Sequence, residues 1–431
     1  MTTTYDPHDP NYFDVGNLRA ELARVYDLCH GCRLCFNLCP SFPTLFDLID
    51  AHDGDVAAMS ADEQDEVVDE CYQCKLCYVK CPYVPPHEWE LDFPRLMMRA
   101  HAVEQKHGDQ PLHARVTDQV LARTDLLGML STRAAPLVNK VTGTPGTTAR
   151  KMMQATAGIH AERLLPPYAK ERFTTWFTRR RAKPVPAPKG EVSVFPTCFV
   201  EYMQPEIGHD VVKVFEHNGF SCSIPEGTRC CGAPWLHQGN VEKFSEVAGR
   251  NVVALAEQVR SGRDVIVTQP TCAYVIKEDY KIYAPGPDAE LVAAHTYDPA
   301  EYLVNQHRKG DGSLDTEFPG PKPESVVYHL ACHLRAQNIG YRGRDLMALM
   351  GTKVDVIERC SGIDGTWGYR SENYELARKV ARPLVRAVRE STAEEVCGDC
   401  HLANTAICQE TGRTPKHPLQ LIARAYGLEV G

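Results

Sequence analysis

The chain has 431 residues, enough for several domains, and its formal net charge of −9 argues against a general nucleic-acid binder, which normally presents a basic face. Hydrophobic residues make up 43% and charged residues 24%, as in ordinary soluble proteins, and no apolar run approaches the roughly 20 residues that a membrane-spanning helix needs. The polar N-terminus does not look like a signal peptide. Because cytosolic thiols stay reduced, eighteen cysteines in such a chain predict a cytoplasmic metal-binding protein rather than a disulfide-linked one.

After a lead-in over residues 1–17, which we expect to be extended, and a short predicted helix from Leu18 to Leu28, the chain carries two cysteine groups. Each reads C-x2-C-x2-C-x3-C-P, the ligand spacing of a bacterial-type ferredoxin with two 4Fe-4S clusters. In such motifs three close cysteines bind one cluster and the fourth binds the other. Disulfides and zinc are the alternatives, although eight cysteines in this order rarely serve either. The predicted ligands are Cys29, Cys32, Cys35 and Cys81 (the first ferredoxin group) and Cys71, Cys74, Cys77 and Cys39 (the second ferredoxin group).

The segment between the two cysteine groups, residues 41–70, is longer than in compact bacterial ferredoxins and has apolar residues at helical spacing. It is similar to the helical ferredoxin module in the iron–sulfur subunits of respiratory dehydrogenases, and we place this module at residues 18–100. Three cations adjoin the cysteines: Arg33, Lys75 and Lys80. They either stabilise the more negative, reduced state of the clusters or are ordinary solvated surface charges.

Residues 101–188 contain no cysteine and are predicted as a helical connector that ends in a proline-rich linker, with Pro184, Pro186 and Pro188 as its stiff part. Near its end a short helix carries aromatic residues on one face and a run of three arginines, 179–181. Two interpretations stay open. This helix either packs on the protein's own domains or rests on a membrane surface as a peripheral anchor. The aromatic residues are Phe173, Trp176 and Phe177.

After Gly190 the pattern changes to alternating strands and helices, and the plan is repeated. The predicted strands lead into cysteines, where open α/β sheets place their ligands. In our alignment Cys198 matches Cys332, the pair Cys230-Cys231 matches Cys360-Ser361, and Pro270-Thr-Cys272 matches Gly398-Asp-Cys400. We therefore predict an internal duplication, with one α/β unit at 189–290 and another at 324–431.

The repeated pattern resembles the CCG, or cysteine-rich, domain of the heterodisulfide reductase family. That family includes the iron–sulfur subunits of anaerobic glycerol-3-phosphate dehydrogenase and of glycolate and lactate oxidases. The resemblance covers nearly the whole chain and implies an α+β multidomain fold. It implies an α-helical ferredoxin module, a helical connector and two tandem α/β CCG repeats.

The complete CCG motif has five cysteines and can hold a noncubane cluster that cleaves disulfides, but each repeat here lacks one cysteine. Gln269 stands where the first repeat should open its C-x2-C, and Ser361 replaces one cysteine of the pair in the second. Four thiols suit an ordinary iron–sulfur cluster or zinc, and a repeat without metal is a further alternative. The candidate metal ligands are Cys198, Cys230, Cys231 and Cys272 in the first repeat, and Cys332, Cys360, Cys397 and Cys400 in the second.

Other residues near the motifs have weaker signals. Cys222 and Cys408 fall outside the pattern, and we interpret them as small buried hydrophobic residues. His329, His333 and His401 flank the repeat cysteines, where they either couple proton uptake to electron transfer or are ordinary hydrogen-bonded histidines.

The chain has no glycine-rich dinucleotide motif, no P-loop and no hydrolase triad, and we assign it no catalytic residue. Without a flavin site of its own, it should receive electrons from a partner flavoprotein dehydrogenase. The electrons would pass through the two 4Fe-4S clusters to the CCG region and an acceptor such as a quinone. Any association with the cell membrane would be peripheral, at its inner face.

One alternative is a disulfide or peroxide-stress reductase that feeds a rubrerythrin-like di-iron protein. Another is a zinc-stabilised docking scaffold.

Overall fold

The computed structural model describes residues 3–108, 112–180, 185, 188–363 and 365–428. Its N-terminal part is a group of helices around a shared apolar core. The first helix buries Leu18, Leu22 and Val25 on one face, at the spacing that helical geometry requires, and these pack on Phe42 and Phe46. The helices of this part are α1 (Val15–Cys32), α2 (Ser41–Ala51), α3 (Ala61–Asp69), α4 (Leu76–Lys80) and α5 (Phe93–His107).

The lead-in before α1 is a series of turns, so the prediction of an extended segment is wrong for the residues that are described. The reason is a buried cation on α5. The guanidinium of Arg99 is shielded from solvent and donates hydrogen bonds to the carbonyls of Tyr12 at 2.8 Å and Asn11 at 2.9 Å, and to Oδ1 of Asn17 at 2.6 Å. A buried charge is tolerated only when its donors are satisfied, so the chain folds back around Arg99. Helix α1 then begins at Val15, where Asp14 caps it.

The connector is helical, as predicted, and its aromatic face lies against the repeats rather than toward solvent. The connector helices are α6 (Leu112–Ala122), α7 (Thr124–Arg133), α8 (Ala135–Thr142), α9 (Thr148–Ala157) and α10 (Phe173–Arg179). Phe173 is fully buried, and Trp176 and Phe177 pack against the same hydrophobic cluster. Arg180 pairs with Glu216 at 2.7 Å and lies 4.1 Å over the ring of Phe177. The structure therefore favours the packed connector over a membrane anchor; Arg181 lies outside the described residues.

The first repeat contains a parallel sheet with strand order β2-β1-β3-β4. The strands are β1 (Gly190–Phe195), β2 (Phe220–Ser223), β3 (Arg263–Val267) and β4 (Thr296–Tyr297). Strands β1 and β3 are buried and rich in valine and isoleucine, as expected for parallel strands covered on both faces. The helices are α11 (Cys198–Tyr202), α12 (Pro205–His217), α13 (Ala233–His237), α14 (Val241–Arg260), α15 (Pro270–Tyr274), α16 (Tyr280–Tyr283), α17 (Pro287–Ala294) and α18 (Pro299–Arg308).

The second repeat contains a smaller parallel sheet with strand order β6-β5-β7. Its strands are β5 (Ser325–His329), β6 (Lys353–Ile357) and β7 (Glu395–Gly398), and its helices are α19 (Cys332–Ala336), α20 (Arg342–Leu349), α21 (Tyr374–Glu390), α22 (His401–Thr411) and α23 (Pro418–Ala425). One hydrophobic cluster includes residues of both repeats, among them Val192 and Val211 of the first and Val326 and Tyr328 of the second. The repeats therefore share a core, while the exact domain boundaries stay predictions.

Strand pairing aligns the two repeats differently from the sequence comparison. The registers can be compared at the residue that lies three positions before the first cysteine of each repeat. In the first repeat this residue is Phe195, which pairs with Val267, and in the second it is His329, which pairs with Gly398. Gln269 lies two residues after Val267 and Cys400 two residues after Gly398, so the two are equivalent, and each is the N-cap residue of the next helix. The sequence comparison matched the last cysteines, but strand register is fixed by hydrogen bonds and overrides such short-range similarity.

In the part of the chain that the structure describes, no helix is both long enough and apolar enough to cross a membrane.

We predict that Phe173→Ala destabilises the protein by about 3–5 kcal/mol, because it leaves a cavity in the core shared by connector and repeats. Leu137→Ala, on a connector side chain that is 66% exposed, should change the free energy of unfolding by less than about 0.5 kcal/mol. Urea unfolding followed by circular dichroism measures both. Equal, small effects would mean that the connector is not packed on the repeats.

Candidate iron–sulfur sites

The structure brings the four cysteines of the first ferredoxin group together. Cys29 and Cys32 lie on the last turn of α1, Cys35 in the turn that follows, and Cys81 directly after α4. Burial raises the pKa of the Cys29 thiol, and Cys35, Cys81 and Cys32 raise it further through their negative charge. All four cysteines line one small pocket, so their sulfurs surround a single volume. Cys32 is exposed, which puts this group at the surface.

The second ferredoxin group is deeper in the protein. Cys71, Cys74 and Cys77 are buried. Burial raises the pKa of Cys77 well above its usual value, and Cys74, Cys39 and Cys71 raise it further. Both groups share a backbone feature. In each, the residue after the second cysteine has a left-handed backbone conformation, with φ 50° at Arg33 and φ 63° at Lys75. The two sets that the structure forms agree with the predicted pairing, in which each fourth cysteine crosses to the other set. The individual ligand roles stay predictions.

Lys75 is not a solvated surface charge. Its side chain is buried, and its ammonium donates hydrogen bonds to Oε1 of Gln73 at 2.7 Å and to Sδ of Met98 at 3.4 Å. Lys80, by contrast, is exposed. A cation in a low-dielectric environment interacts strongly with neighbouring charge. Lys75 therefore adds positive charge next to Cys74, and the surface interpretation is wrong for this residue.

The first repeat gathers four thiols at the carboxyl end of its sheet. Cys198 begins α11, the pair Cys230-Cys231 precedes α13, and Cys272 lies in α15. The thiols of Cys198 and Cys231 hydrogen-bond to Cys230, and these contacts lower the pKa of Cys230 well below its ordinary value. The loop of the pair is held by Tyr280, whose hydroxyl donates to the Cys231 carbonyl at 2.9 Å. All predicted members of this set are therefore together.

Sequence reasoning missed a carboxylate from the connector beside this group. The backbone N–H of Cys230 donates to Oδ2 of Asp125 at 2.8 Å. Burial raises the pKa of Asp125 to about 6, and the charge of Cys230 contributes to the increase. Asp125 lies at the start of α7, more than 100 positions from Cys230 in the chain. The connector has no motif there, so no sequence signal pointed to it.

The second repeat brings together Cys332, Cys360 and Cys400 but not Cys397. The three thiols line a cavity of about 710 Å³, which we call the junction cavity because Cys39 and Cys74 of the second ferredoxin group line it as well. Ser361 also borders this cavity. Cys397 lies inside strand β7, is completely buried and belongs to the hydrophobic cluster shared by the repeats. The predicted ligand set of this repeat is thus only partly assembled.

Three side chains connect the cysteine groups around the junction cavity. The hydroxyl of Tyr72 donates to the Leu38 carbonyl at 3.2 Å. Burial raises the pKa of Tyr72, and Cys360, Cys74 and Cys39 raise it further, so this hydroxyl lies between the ferredoxin module and the second repeat.

Gln269 of the first repeat contacts the second. Its Nε2 donates to Sγ of Cys400 at 3.2 Å, and its Oε1 accepts from the N–H of His401 at 3.2 Å. His333 completes the connection, since its ring lies between the Gln73 carbonyl at 3.1 Å and the Thr271 hydroxyl at 3.2 Å.

The histidines that flank the repeat cysteines are buried and neutral at physiological pH. Burial lowers the pKa of His329 to about 4, of His333 to about 3 and of His401 to about 3. His329 donates to the Arg359 carbonyl at 3.0 Å and His333 to the Gln73 carbonyl at 3.1 Å, so the structure favours a hydrogen-bonding role for these two, whereas both ring nitrogens of His401 are buried without a hydrogen-bond partner. Cys222 packs partly buried against the core, which suits the predicted hydrophobic role, and Cys408 is half-buried on α22.

Among the described residues, no group of three or more histidine, cysteine or acidic side chains is placed to hold a single metal ion. An iron–sulfur cube spreads its thiolates over separate iron atoms, whereas zinc gathers them on one atom. The four thiols of each ferredoxin group lie around one pocket and match the donor set of an iron–sulfur cube.

Comparison with known families agrees with this geometry. The family described as "4Fe-4S dicluster domain" matches residues 22–82, and the family described as "Cysteine-rich domain" matches residues 192–277 and 326–403. The predictions of a ferredoxin domain with two 4Fe-4S clusters and of two CCG repeats are confirmed.

Several curated proteins are similar to this chain. It is 31% identical over 309 residues to the C subunit of anaerobic glycerol-3-phosphate dehydrogenase of Escherichia coli (strain K12), covering 71% of this chain and 76% of that protein. It is 26% identical over 219 residues to the B subunit of the fumarate reductase (CoM/CoB) of Methanothermobacter marburgensis, covering 49% and 40%. It is 27% identical over 221 residues to "Lactate utilization protein A" of Bacillus licheniformis, covering 49% and 87%.

We predict that Lys75→Met lowers the reduction potential of the second ferredoxin cluster by tens of millivolts, because a buried cation stabilises the more negative, reduced state. Lys80→Met removes an equal charge from an exposed position, where water screens it, and should have a smaller effect. Redox titrations followed by electron paramagnetic resonance measure both variants. A rise in potential for Lys75→Met, or equal shifts in the two proteins, would contradict this role.

We also predict that mild acid destabilises the second repeat through its buried histidines. His417 caps α23 by accepting from the Leu419 N–H at 3.2 Å, and burial lowers its pKa to about 4, against roughly 6.5 in an unfolded chain. Its stabilising contribution is complete above about pH 6.5 and falls by about 2 kcal/mol at pH 5, because only the unfolded chain then binds the proton. His417→Asn keeps an N-cap acceptor without this titration. The variant should lose less unfolding free energy between pH 7 and pH 5, and equal losses would refute the assignment.

Proposed function

Because the chain belongs to the family that includes the C subunit of anaerobic glycerol-3-phosphate dehydrogenase, we propose that it takes electrons from a separate flavoprotein dehydrogenase. It passes them through its two ferredoxin clusters to the second cysteine-rich repeat, where an acceptor such as a quinone receives them. The coarser role of an iron–sulfur electron-transfer subunit rests on the family itself. Iron–sulfur clusters supply one-electron chemistry when bound, and the protein sets their potential by burial, charge and hydrogen bonding.

The observation that carries the proposal is the junction cavity. Cys39 and Cys74 of the second ferredoxin group line the same cavity as the three thiols of the second repeat. The two sides are in contact, because His333 hydrogen-bonds to the Gln73 carbonyl at 3.1 Å and the ring of Tyr72 packs on that of Trp367 of the second repeat with centroids 5.2 Å apart. Redox groups held by these two sides would therefore be neighbours, and the fixed hydrogen bonds limit the structural change that electron transfer requires.

The surface around the first ferredoxin group suits a partner protein. Cys32 is exposed, and the side chain of Leu34, which borders the same small pocket as the four cysteines of this group, is 46% exposed. An exposed large apolar side chain beside a redox group can take part in an interaction site. The electron donor would bind here, at the cysteine group that lies closest to solvent, and the buried second group lies between this surface and the repeats.

The walls of the junction cavity suit a flat, mainly apolar acceptor. Leu376, Val380 and Leu402 contribute apolar surface, and the charged residues of the lining include the cations Arg335 and Lys379 as well as the carboxylates of Asp47 and Glu70. Apolar walls are typical of small-molecule sites, and a cation next to the bound molecule would stabilise the negative charge that a quinone gains on reduction.

The proposal predicts that Cys400→Ala slows the delivery of electrons to the acceptor. Anaerobic protein is reduced with photoreduced free flavin, mixed with menadione, and its reoxidation is followed by stopped-flow absorbance. We expect at least a tenfold slower reoxidation for Cys400→Ala than for the wild type.

Cys408→Ala is the matched control, because this cysteine lies on α22 outside the cavity lining, and its rate should equal that of the wild type. An unchanged rate in Cys400→Ala would show that electrons leave elsewhere. If the wild type instead reduces small disulfides at enzymatic rates and Cys400→Ala does not, the chain is a disulfide reductase and the relay proposal fails.

A further inference from the structure

The position of Cys397 prevents it from serving the junction cavity. It pairs with Tyr328 inside the sheet, and its neighbours on the strand, Val396 and Gly398, exchange backbone hydrogen bonds with Lys416 at 2.9 Å. Strand β7 is thus held on both sides. Burial raises the pKa of Cys397, and the groups that raise it further are the carboxylates of Asp399 and Glu395, not other thiols. The backbone pairing fixes the face of the sheet from which this side chain extends, and on that face Cys397 is buried in the hydrophobic cluster shared by the repeats.

Cys400 occupies the position that Cys397 was expected to fill. It follows the end of β7 at the N-cap of α22, superposes on Gln269 of the first repeat and lines the junction cavity with Cys332 and Cys360. The residue that would add a fourth thiol, next to Cys360, is Ser361. A serine oxygen is a poor match for an iron–sulfur centre compared with a soft thiolate.

We infer that the second repeat holds an iron–sulfur cluster through three thiolates only, those of Cys332, Cys360 and Cys400, and that one iron beside the junction cavity takes an exchangeable external ligand. The inference rests on the proposed function, because it requires a cluster in this repeat. Its ligand set excludes Cys397, which has a structural role in the core.

The cavity and the iron beside it also indicate the chemical class of the external ligand. Three cations, Arg335, Arg359 and Lys379, border the cavity, and so do three carboxylates, those of Asp47, Glu70 and Glu358, so the lining has no excess of either charge. The iron itself then decides the class of ligand, because iron in a sulfur environment favours a soft donor. A small thiolate and cyanide are both donors of this class.

The ligand set is tested by metal analysis and electron paramagnetic resonance of anaerobically purified variants. Cys397→Val keeps an apolar side chain in the core, so we expect the iron content and all cluster signals of the wild type. Cys400→Ala should lose the iron and the signal of one cluster, while the two ferredoxin signals stay. A folded Cys397→Val protein, verified by circular dichroism, that has lost the repeat signal would overturn the inference.

The exchangeable position is tested with cyanide. In the wild type, cyanide should shift the signal of the repeat cluster and leave the ferredoxin signals unchanged. Ser361→Cys offers a fourth thiolate and should abolish this shift. If cyanide does not change the signal of the repeat cluster in the wild type, the inference is overturned but the proposed function is not. Wild-type protein with the iron of only the two ferredoxin clusters would instead overturn the proposed function and the inference with it.

Discussion

The neutral imidazole of His333 is the contact on which the arrangement of the cysteine groups depends. Burial keeps it uncharged, so its two nitrogens have different roles. A carbonyl oxygen only accepts hydrogen bonds, so Nε2 donates to Gln73, between two cysteines of the second ferredoxin group, and Nδ1 accepts from Thr271, beside Cys272 of the first repeat. His333 itself follows Cys332 of the second repeat. One ring thus fixes three cysteine groups relative to one another, and losing it would leave two buried partners unsatisfied.

The two repeats have diverged in complementary ways. The first keeps four thiols in a buried site, with the connector supplying Asp125 to the loop of the adjacent pair. The second brings together three thiols at a cavity that is large enough for a small molecule. Gln269 stands where the first repeat lacks a cysteine, and its side chain hydrogen-bonds to Cys400 of the second repeat. The first repeat therefore acts structurally on the site of the second, which a comparison of each repeat with the family motif in isolation would not reveal.

Much of the fold and of the ferredoxin sites was predictable, because both depend on local patterns. The cysteine spacing indicated the two ferredoxin groups, and alternating apolar strands and helices after Gly190 indicated the duplicated α/β repeats. What failed depended on long-range structure. The turns of the lead-in follow from Arg99, which lies on a later helix, and the burial of Lys75 follows from packing against α5. Cys397 was grouped with Cys400 by spacing alone, whereas the hydrogen-bonded register of β5 and β7 puts them in different environments.

The unequal exposure of the two ferredoxin groups has a practical consequence for handling the protein. Oxidants reach cysteine sulfur according to its access to solvent. Cys32 is open to solvent, while Cys71, Cys74 and Cys77 are shielded by the core of the module and by the repeats. Oxygen should therefore damage the surface cluster first and leave the inner one intact for longer. Protein prepared in air would then retain its inner redox groups but could no longer receive electrons at the surface where the donor binds. It would show no activity with a natural partner, although small reductants would still reduce it.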